Sequence, residues 1–372
     1  IAGTTTDHVE KPMELQPIGP VLFIDTAGID DGGTLGEMRI RETRRALDRT
    51  DLAIIVAAAP NWGKFEEDLL KECEQRETPV VVVFNKADQT KPENTLLEDL
   101  ANRNVPVAQT VAPEAEGMED LRRALVDRVP EECLNAPTIV ADLLPPGGLA
   151  VLVVPIDKEA PKGRLILPQM QAIRDLLDND AYCMVVKERE LREALDRLKS
   201  TPDLVVTDSQ AFLKVAADTP VGVPMTSFSI LYARAKGDLM ALAQGATAID
   251  NLAPGAKILV SEACAHHPIG EDIGRVKIPR WLTQYVGGKL EFTHVQGKDF
   301  PEDPSGYDLV IHCGACMWNR RAMLSRILSC KAAGVPITNY GIAIAHSLGI
   351  LERALAPFPG ASPFVHADTT LP

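Results

Sequence analysis

The chain has 372 residues, 45% hydrophobic and 24% charged, the mix of a globular protein with two or three domains. Its net charge of −14, with no Lys/Arg-rich run, argues against a nucleic-acid-binding surface, because displacing phosphate counterions takes clustered cations. Apolar runs such as 52–60 and 149–156 fall far short of a bilayer span, and the polar start at 1–7 has no leader pattern, so a cytoplasmic protein with no membrane partner is expected.

Up to about residue 135, apolar strand-like runs at 21–25, 53–58, 80–85 and 105–111 alternate with amphipathic helix patterns at 37–49, 64–76 and 118–127. Continuous apolar strands separated by helices predict a parallel sheet covered on both faces. Residues 130–137 read as a linker. A smaller α/β unit follows, with strands at 149–156, 181–187 and 204–207 and helices at 168–177 and 190–198. A third stretch has strand candidates at 257–261, 289–295 and 309–312 and helices at 320–333 and 342–355. The expected architecture is α/β in three domains, 1–135, 136–223 and 224–372, without an internal repeat of fixed period. Seven scattered cysteines, an odd count, do not form a secreted disulfide framework. Cys73, Cys133, Cys183 and Cys330 lie singly in helix-like or strand-like stretches and read as small buried hydrophobes.

Asp25-Thr26-Ala27-Gly28 ends an apolar strand, where a parallel sheet presents its ligand-binding residues. An Asp there can hold magnesium through water, and the glycine lets a backbone N–H approach a terminal phosphate. Asn85-Lys86-Ala87-Asp88 ends another strand 60 residues later; a carboxylate at Asp88 can accept both guanine N1–H and N2–H, which adenine does not offer. Gly3-Thr4-Thr5-Thr6 supplies hydroxyls for a magnesium shell. In this order the motifs resemble switch I, switch II and the base-recognition loop of the GTPase group that includes Era and the tRNA-modification GTPase. That resemblance implies Thr5 as the magnesium ligand, with Thr4 beside it. It also places Val111-Ala112 where the group has a Ser-Ala loop against guanine, a Val replacing the Ser. No G-x-x-x-x-G-K-[ST] loop occurs in the 372 residues, so a P-loop GTPase sheet truncated at its N-terminus is expected, binding GTP poorly in this form. Ile29 stands where Ras-like enzymes carry a water-orienting Gln, which predicts slow hydrolysis. The resemblance also implies stimulation by K+.

Cys264-Ala265-His266 follows the strand at 257–261, and His312-Cys313-Gly314-Ala315-Cys316 follows the strand at 309–312. Both groups fall beyond strand ends, which converge at the carboxyl edge of a parallel sheet. A helix starting near Trp318 turns its positive end toward Cys316 and favours thiolate. From spacing, a structural Cys3His zinc site and a 4Fe–4S cluster on three cysteines, topped by His266, His312 or an outside ligand, stand equal. Glu262 is either a further ligand or solvent-facing, and His267 either supports the site or caps the turn before Pro268. Arg275, Lys277 and Arg280 either attract an anion or solvate a loop. His294 and His346 read as ordinary residues.

The pattern C-x-H, 45 residues, H-C-x-x-C is similar to the signature of the HydF family of FeFe-hydrogenase maturation factors. So are Glu262-Ala263-Cys264, the run from Asp272 to Trp281, and Thr226-Ser227-Phe228-Ser229-Ile230. The resemblance covers the whole chain and implies iron–sulfur over zinc. It implies a GTP-binding homodimeric scaffold with a 4Fe–4S cluster, which receives a diiron precursor made by the radical-SAM partners HydE and HydG and delivers it to apo-hydrogenase. The middle unit is then the dimerisation domain, its strand 149–156 pairing across the two-fold. The other class is a GTP-regulated protein of RNA modification with a structural zinc site, which the net acidity disfavours.

Overall fold

A computed structural model of the protein describes residues 9–26, 34–134, 137–155, 165–263, 272–297 and 299–360. The chain divides into two units, Ile1–Pro137 and Thr138–Pro372. Among the described residues no helix is long and apolar enough to cross a membrane.

In the first unit, β1 (Val9–Leu15) and β2 (Gly19–Asp25) pair antiparallel, with Val9 opposite Asp25 and Leu15 opposite Gly19. Gly19 takes φ 96° in the turn, a conformation that costs glycine little. β1 was not expected, because its residues are almost all exposed and show no apolar alternation. There follow α1 (Thr34–Leu47), β3 (Ala53–Ala58), α2 (Lys64–Gln75), β4 (Val80–Asn85), α3 (Asn94–Asn102), β5 (Val107–Thr110), α4 (Met118–Arg128) and α5 (Glu131–Leu134). β3, β4 and β5 form a parallel sheet with β4 in the centre. The Val80–Phe84 run is apolar throughout because helices cover both its faces. Val80, Val82 and Phe84 pack with Leu70, Cys73 and Leu100, while Val81 and Val83 pack with Leu125. Burying each such aliphatic side chain contributes roughly 1.5–3 kcal/mol.

The second unit begins with β6 (Leu149–Val153), α6 (Leu167–Asp178), β7 (Tyr182–Val186), α7 (Leu191–Asp196), β8 (Leu204–Thr207), α8 (Phe212–Asp218) and β9 (Met225–Ser227). Two helices, α9 (Phe228–Lys236) and α10 (Leu239–Ala246), lead to β10 (Lys257–Glu262), α11 (Ile278–Val286), β11 (Glu291–Gln296) and β12 (Leu309–His312). α12 (Arg320–Ala332), β13 (Ile337–Asn339), α13 (Tyr340–Ser347) and α14 (Leu351–Leu355) complete it. The strands form two parallel sheets, ordered β7-β6-β8-β9 and β11-β10-β12-β13. The two sheets therefore share one topology. Each fourth strand runs into a capped helix: Ser227 Oγ accepts from the Ile230 N–H at 3.2 Å, and Asn339 Oδ1 from the Ile342 N–H at 2.9 Å.

β6 has partners on both sides, Ala150 beside Cys183 and beside Leu204, so the expected pairing of 149–156 across a two-fold is corrected. The all-apolar run marks the centre of the sheet, and β7 is an edge. The single helix expected at 342–355 is two, separated at Gly349, whose φ of 71° ends α13. One continuous core joins both halves of this unit, with Val151, Leu204 and Phe228 from the first and Leu259, Ile311 and Ile344 from the second. Gly245 of α10 is required there, since a Cβ would lie 1.9 Å from the Ile337 carbonyl oxygen.

Candidate metal centre and nucleotide-binding residues

β10 and β12 are neighbours in register, with Ser261 beside His312, so the segments that follow them leave the sheet side by side. The Cys313 N–H donates to the Ser261 carbonyl at 2.9 Å, extending that ladder by one bond. The Ala263 N–H donates to Cys313 Sγ at 3.1 Å. The chain then turns at Ala315, in the left-handed region at φ 51°, with the Trp318 N–H on the Ala315 carbonyl at 3.0 Å. Asn319 caps α12 through Oδ1 on the Ala322 N–H at 3.2 Å, and the helix begins at Arg320 as expected. Cys313 and Cys316, both half-buried, thus share one turn at the carboxyl edge of the sheet. Cys264 and His266, with His267, lie outside the described residues.

Two tyrosines flank these cysteines, Tyr232 buried and Tyr340 half-buried. Burial, with the negative charge of Cys316 adding to it, pushes the Tyr232 hydroxyl well above its usual range, and Tyr232 donates to Gln171 Oε1. Tyr340 is raised by burial and then by Cys313, and donates to Glu262 Oε1 at 3.4 Å. Glu262 is buried, not solvent-facing; its other oxygen accepts from Gln296 Nε2 at 2.8 Å and lies 3.9 Å from Arg275 Nη2. Lys277 Nζ donates to Gln210 Oε1 at 2.7 Å, tying α11's start to the end of β8 rather than leaving it in solvent.

His312, expected as a candidate metal ligand, has a partner for each ring nitrogen in the structure. It is completely buried, its Nε2 lies 2.6 Å from Arg326 Nη1, and its Nδ1 lies 2.8 Å from the Cys313 carbonyl oxygen. A guanidinium only donates, so Nε2 is the acceptor and Nδ1 carries the proton. Both ring nitrogens are thereby committed. Burial, and next the Arg326 charge, pull its pKa down to about 3, so the ring is neutral. His294 and His346 have partners that the sequence did not reveal, the Gly274 carbonyl at 3.2 Å and Asp250 Oδ1 at 2.8 Å. Cys330 is buried and pushed up to about 12, the thiol of a core residue.

Arg326, Ser261, Tyr232 and Tyr340 were missed in the sequence. Arg326 left a signal: it sits on the buried stripe of α12 with Ala322, Met323, Ile327 and Cys330, where a charge demands partners.

The donor set fits an iron–sulfur centre. A backbone N–H on a cysteine sulfur is the contact by which proteins tune such clusters, and two cysteines of one turn lie beside the strand that leads to the third. Among the described residues no group of three His, Cys, Asp or Glu side chains is poised for a metal, Cys264 being outside that set.

In the first unit, Asn85 ends β4 and its Oδ1 accepts from Thr110 Oγ1 and from the Ala112 N–H, each at 3.2 Å. This joins the N-K-x-D turn to the turn after β5, bringing Asn85 and Ala112 together. Lys86 takes φ 59°, and the Ala87 N–H donates to the Thr110 carbonyl at 3.1 Å. Lys86 and Asp88 are exposed at this edge; Asp25, at the end of β2 in the separate two-stranded sheet, is also exposed. Thr4, Thr5, Gly28 and Ile29 lie outside the described residues.

A family model of a 50S ribosome-binding GTPase matches residues 1–86. The hydrogen maturase F dimerization domain matches 139–237, and the hydrogen maturase F tetramerization domain matches 240–357. Curated relatives are similar over part of the chain. A tRNA modification GTPase MnmE of Exiguobacterium sibiricum is 34% identical over 34% of this chain and 27% of its own. A GTPase Der of Solidesulfovibrio magneticus is 26% identical over 35% and 30%. A GTPase Era of Xanthomonas oryzae pv. oryzae is 28% identical over 34% and 45%. The chain thus spans less than half the length of each of these relatives. Fold and matches define an α/β protein with a GTPase-type domain ahead of two oligomerisation domains. The chain belongs to the hydrogen maturase F family, HydF.

Proposed function

We propose that this protein is an FeFe-hydrogenase maturation factor, a GTP-binding cytoplasmic scaffold that holds a 4Fe–4S cluster on Cys264, Cys313 and Cys316. In this role it takes up a diiron precursor from the radical-SAM maturases HydE and HydG and passes it to apo-hydrogenase. The observation that carries the cluster assignment is the bond from the Ala263 N–H to Cys313 Sγ. Ala263 directly precedes Cys264 in the chain, so the backbone leading to one cysteine touches the sulfur of another. When bound, the cluster supplies an iron without a protein thiolate, open to an exchangeable ligand. The chain's own residues hold it: Cys313 and Cys316 from one turn, Cys264 from the neighbouring strand end. Tyr232 and Tyr340 flank Cys313 and Cys316 and are held by Gln171 and Glu262. His312 orients the Cys313 carbonyl, which leaves His266 or an outside ligand for the remaining iron.

Asp88, Asn85, Lys86 and Ala112 are proposed to hold guanine, and Thr4, Thr5, Asp25 and Gly28 to hold magnesium and phosphate. The chain is proposed to form a homodimer through the β7 edge, where Tyr182 and Val185 are exposed. Anaerobic reconstitution with ferrous iron and sulfide tests the cluster assignment. The protein should turn brown with broad visible absorption, whereas a structural zinc protein stays colourless.

A further inference from the structure

The strands that lead to the proposed cysteine ligands, β10 and β12, are bonded to each other through their backbones and also by a single side chain from above. Arg326 on α12 is 8% exposed. Its Nη1 donates to Ser261 Oγ on β10 at 2.7 Å and to His312 Nε2 on β12 at 2.6 Å. Its Nη2 donates to the Gly297 carbonyl beyond β11. The guanidinium lies between two rings, 4.1 Å from the Trp318 centroid and 4.5 Å from that of Phe300. Trp318 in turn stands 6.0 Å from the His312 ring. One planar cation therefore reaches the three outgoing strand ends and the turn that carries Cys313 and Cys316.

We propose that Arg326 is the positioning residue of the metal centre, locking His312 as its Nδ1–H tautomer so that this proton holds the Cys313 carbonyl and fixes the cysteine turn. The metal part of this proposal rests on the cluster assignment above; the tautomer part does not. Geometry excludes a lysine in the same role. A lysine ammonium is a point charge without the planar fork, so it does not bridge Ser261, His312 and Gly297 while stacking between two rings. Groups of this kind, one shell out from metal ligands, typically set ligand orientation, and losing one costs about 10- to 100-fold in metal affinity.

Histidine-selective nitrogen-15 labelling of the full metal-free chain tests the first part. His312, assigned by the signals that vanish in His312→Gln, should show a protonated Nδ1 and a bare Nε2 at neutral pH. Arg326→Met should move it toward the Nε2–H form, and Arg326→Lys should not restore the wild-type spectrum. After reconstitution with ferrous iron and sulfide, Arg326→Met should lose iron to a chelator about 10- to 100-fold faster than wild type. Where Arg326→Met fails to fold, Ser261→Ala removes one anchor at little change in volume and should give a smaller shift and faster iron loss. An Nε2–H tautomer in the wild type, or an unchanged spectrum in folded Arg326→Met, overturns the lock. A shifted tautomer with unaltered iron retention overturns the positioning role. A wild type that takes up no iron defeats the cluster assignment instead, and the tautomer result still decides the lock.

Discussion

The backbone N–H of Ala263, at the end of β10, donates to the sulfur of Cys313, at the end of β12, across 3.1 Å. These residues are 50 apart in sequence and meet because the two strands are parallel neighbours whose carboxyl ends coincide. A parallel sheet delivers every outgoing segment at the same edge, so a C-x-H motif and an H-C-x-x-C motif after adjacent strands share one site.

His312→Ala tests whether this histidine is an internal support. The substitution leaves the buried Arg326 Nη1 without one acceptor and the Cys313 carbonyl without its donor. Metal-free protein should lose about 1–3 kcal/mol of unfolding free energy, the cost of orphaned buried polar groups, in urea denaturation. Unchanged metal-free stability would mean that the ring serves only when metal is bound.

Guanine recognition is proposed to rest on Asp88 and Asn85. On a chain preceded by a G-x-x-x-x-G-K-[ST] loop with its strand and helix, Asp88→Asn should weaken GTP roughly 10- to 100-fold, the loss of about 1.5–3 kcal/mol in charged hydrogen bonds. The same variant should bind xanthosine triphosphate better than wild type does, because its amide matches the xanthine carbonyl. Competition binding with GTP, ATP and xanthosine triphosphate reads this, and equal GTP and ATP affinities in the wild type would remove the assignment.

Assembly is proposed to use the β7 edge. Val185 is 45% exposed there, and a lysine in its place puts a charge on an edge strand, which discourages pairing with a second chain. Val185→Lys should halve the molar mass in light scattering while leaving the circular dichroism spectrum intact. A variant that keeps the wild-type mass would place the dimer contact elsewhere.

Acid sensitivity has a definite local source. Asp218, at the end of α8, bonds Lys214 Nζ at 2.9 Å and Arg192 Nη2 at 2.9 Å. The Lys214 hydrogen bond is the largest influence on its carboxyl, which is held below the usual range despite some opposing burial. A depressed carboxylate contributes stability that is fully present above the unfolded-state value of about 4 and lost as pH falls through the folded one. Asp218→Asn should therefore flatten the fall in thermal midpoint below about pH 4 and leave the slope above it unaltered. An identical acid limb in the variant would contradict this.

Elements buried on both faces were legible in the sequence. The Val80–Phe84 run reads as a central strand because each residue in it meets a helix, and the H-C-x-x-C turn reads as a strand end because an apolar run stops at His312. β1 was invisible, since its exposed residues carry no pattern and only pairing with β2 makes it a strand. The rank of Leu149–Val153 was misjudged for a related reason: apolarity marks burial, but whether a strand is central or at an edge is decided by distant partners, here Tyr182–Val186 and Leu204–Thr207. His312 reads as a candidate ligand because it adjoins Cys313. Its hydrogen-bond partner Arg326 is 14 residues away on a helix, beyond any local motif.

The central claim is that Cys264, Cys313 and Cys316 anchor a 4Fe–4S cluster. Iron and acid-labile sulfide, measured together with the electron paramagnetic signal of the dithionite-reduced protein, test it in the wild type and in three single Cys→Ser variants, with Cys330→Ser as control. The wild type and Cys330→Ser should each carry about four irons and four sulfides per chain, and the three ligand variants should lose most of both. Full iron in the ligand variants, or zinc in place of iron in the native protein, would contradict the claim and leave a structural Cys3His site in its place.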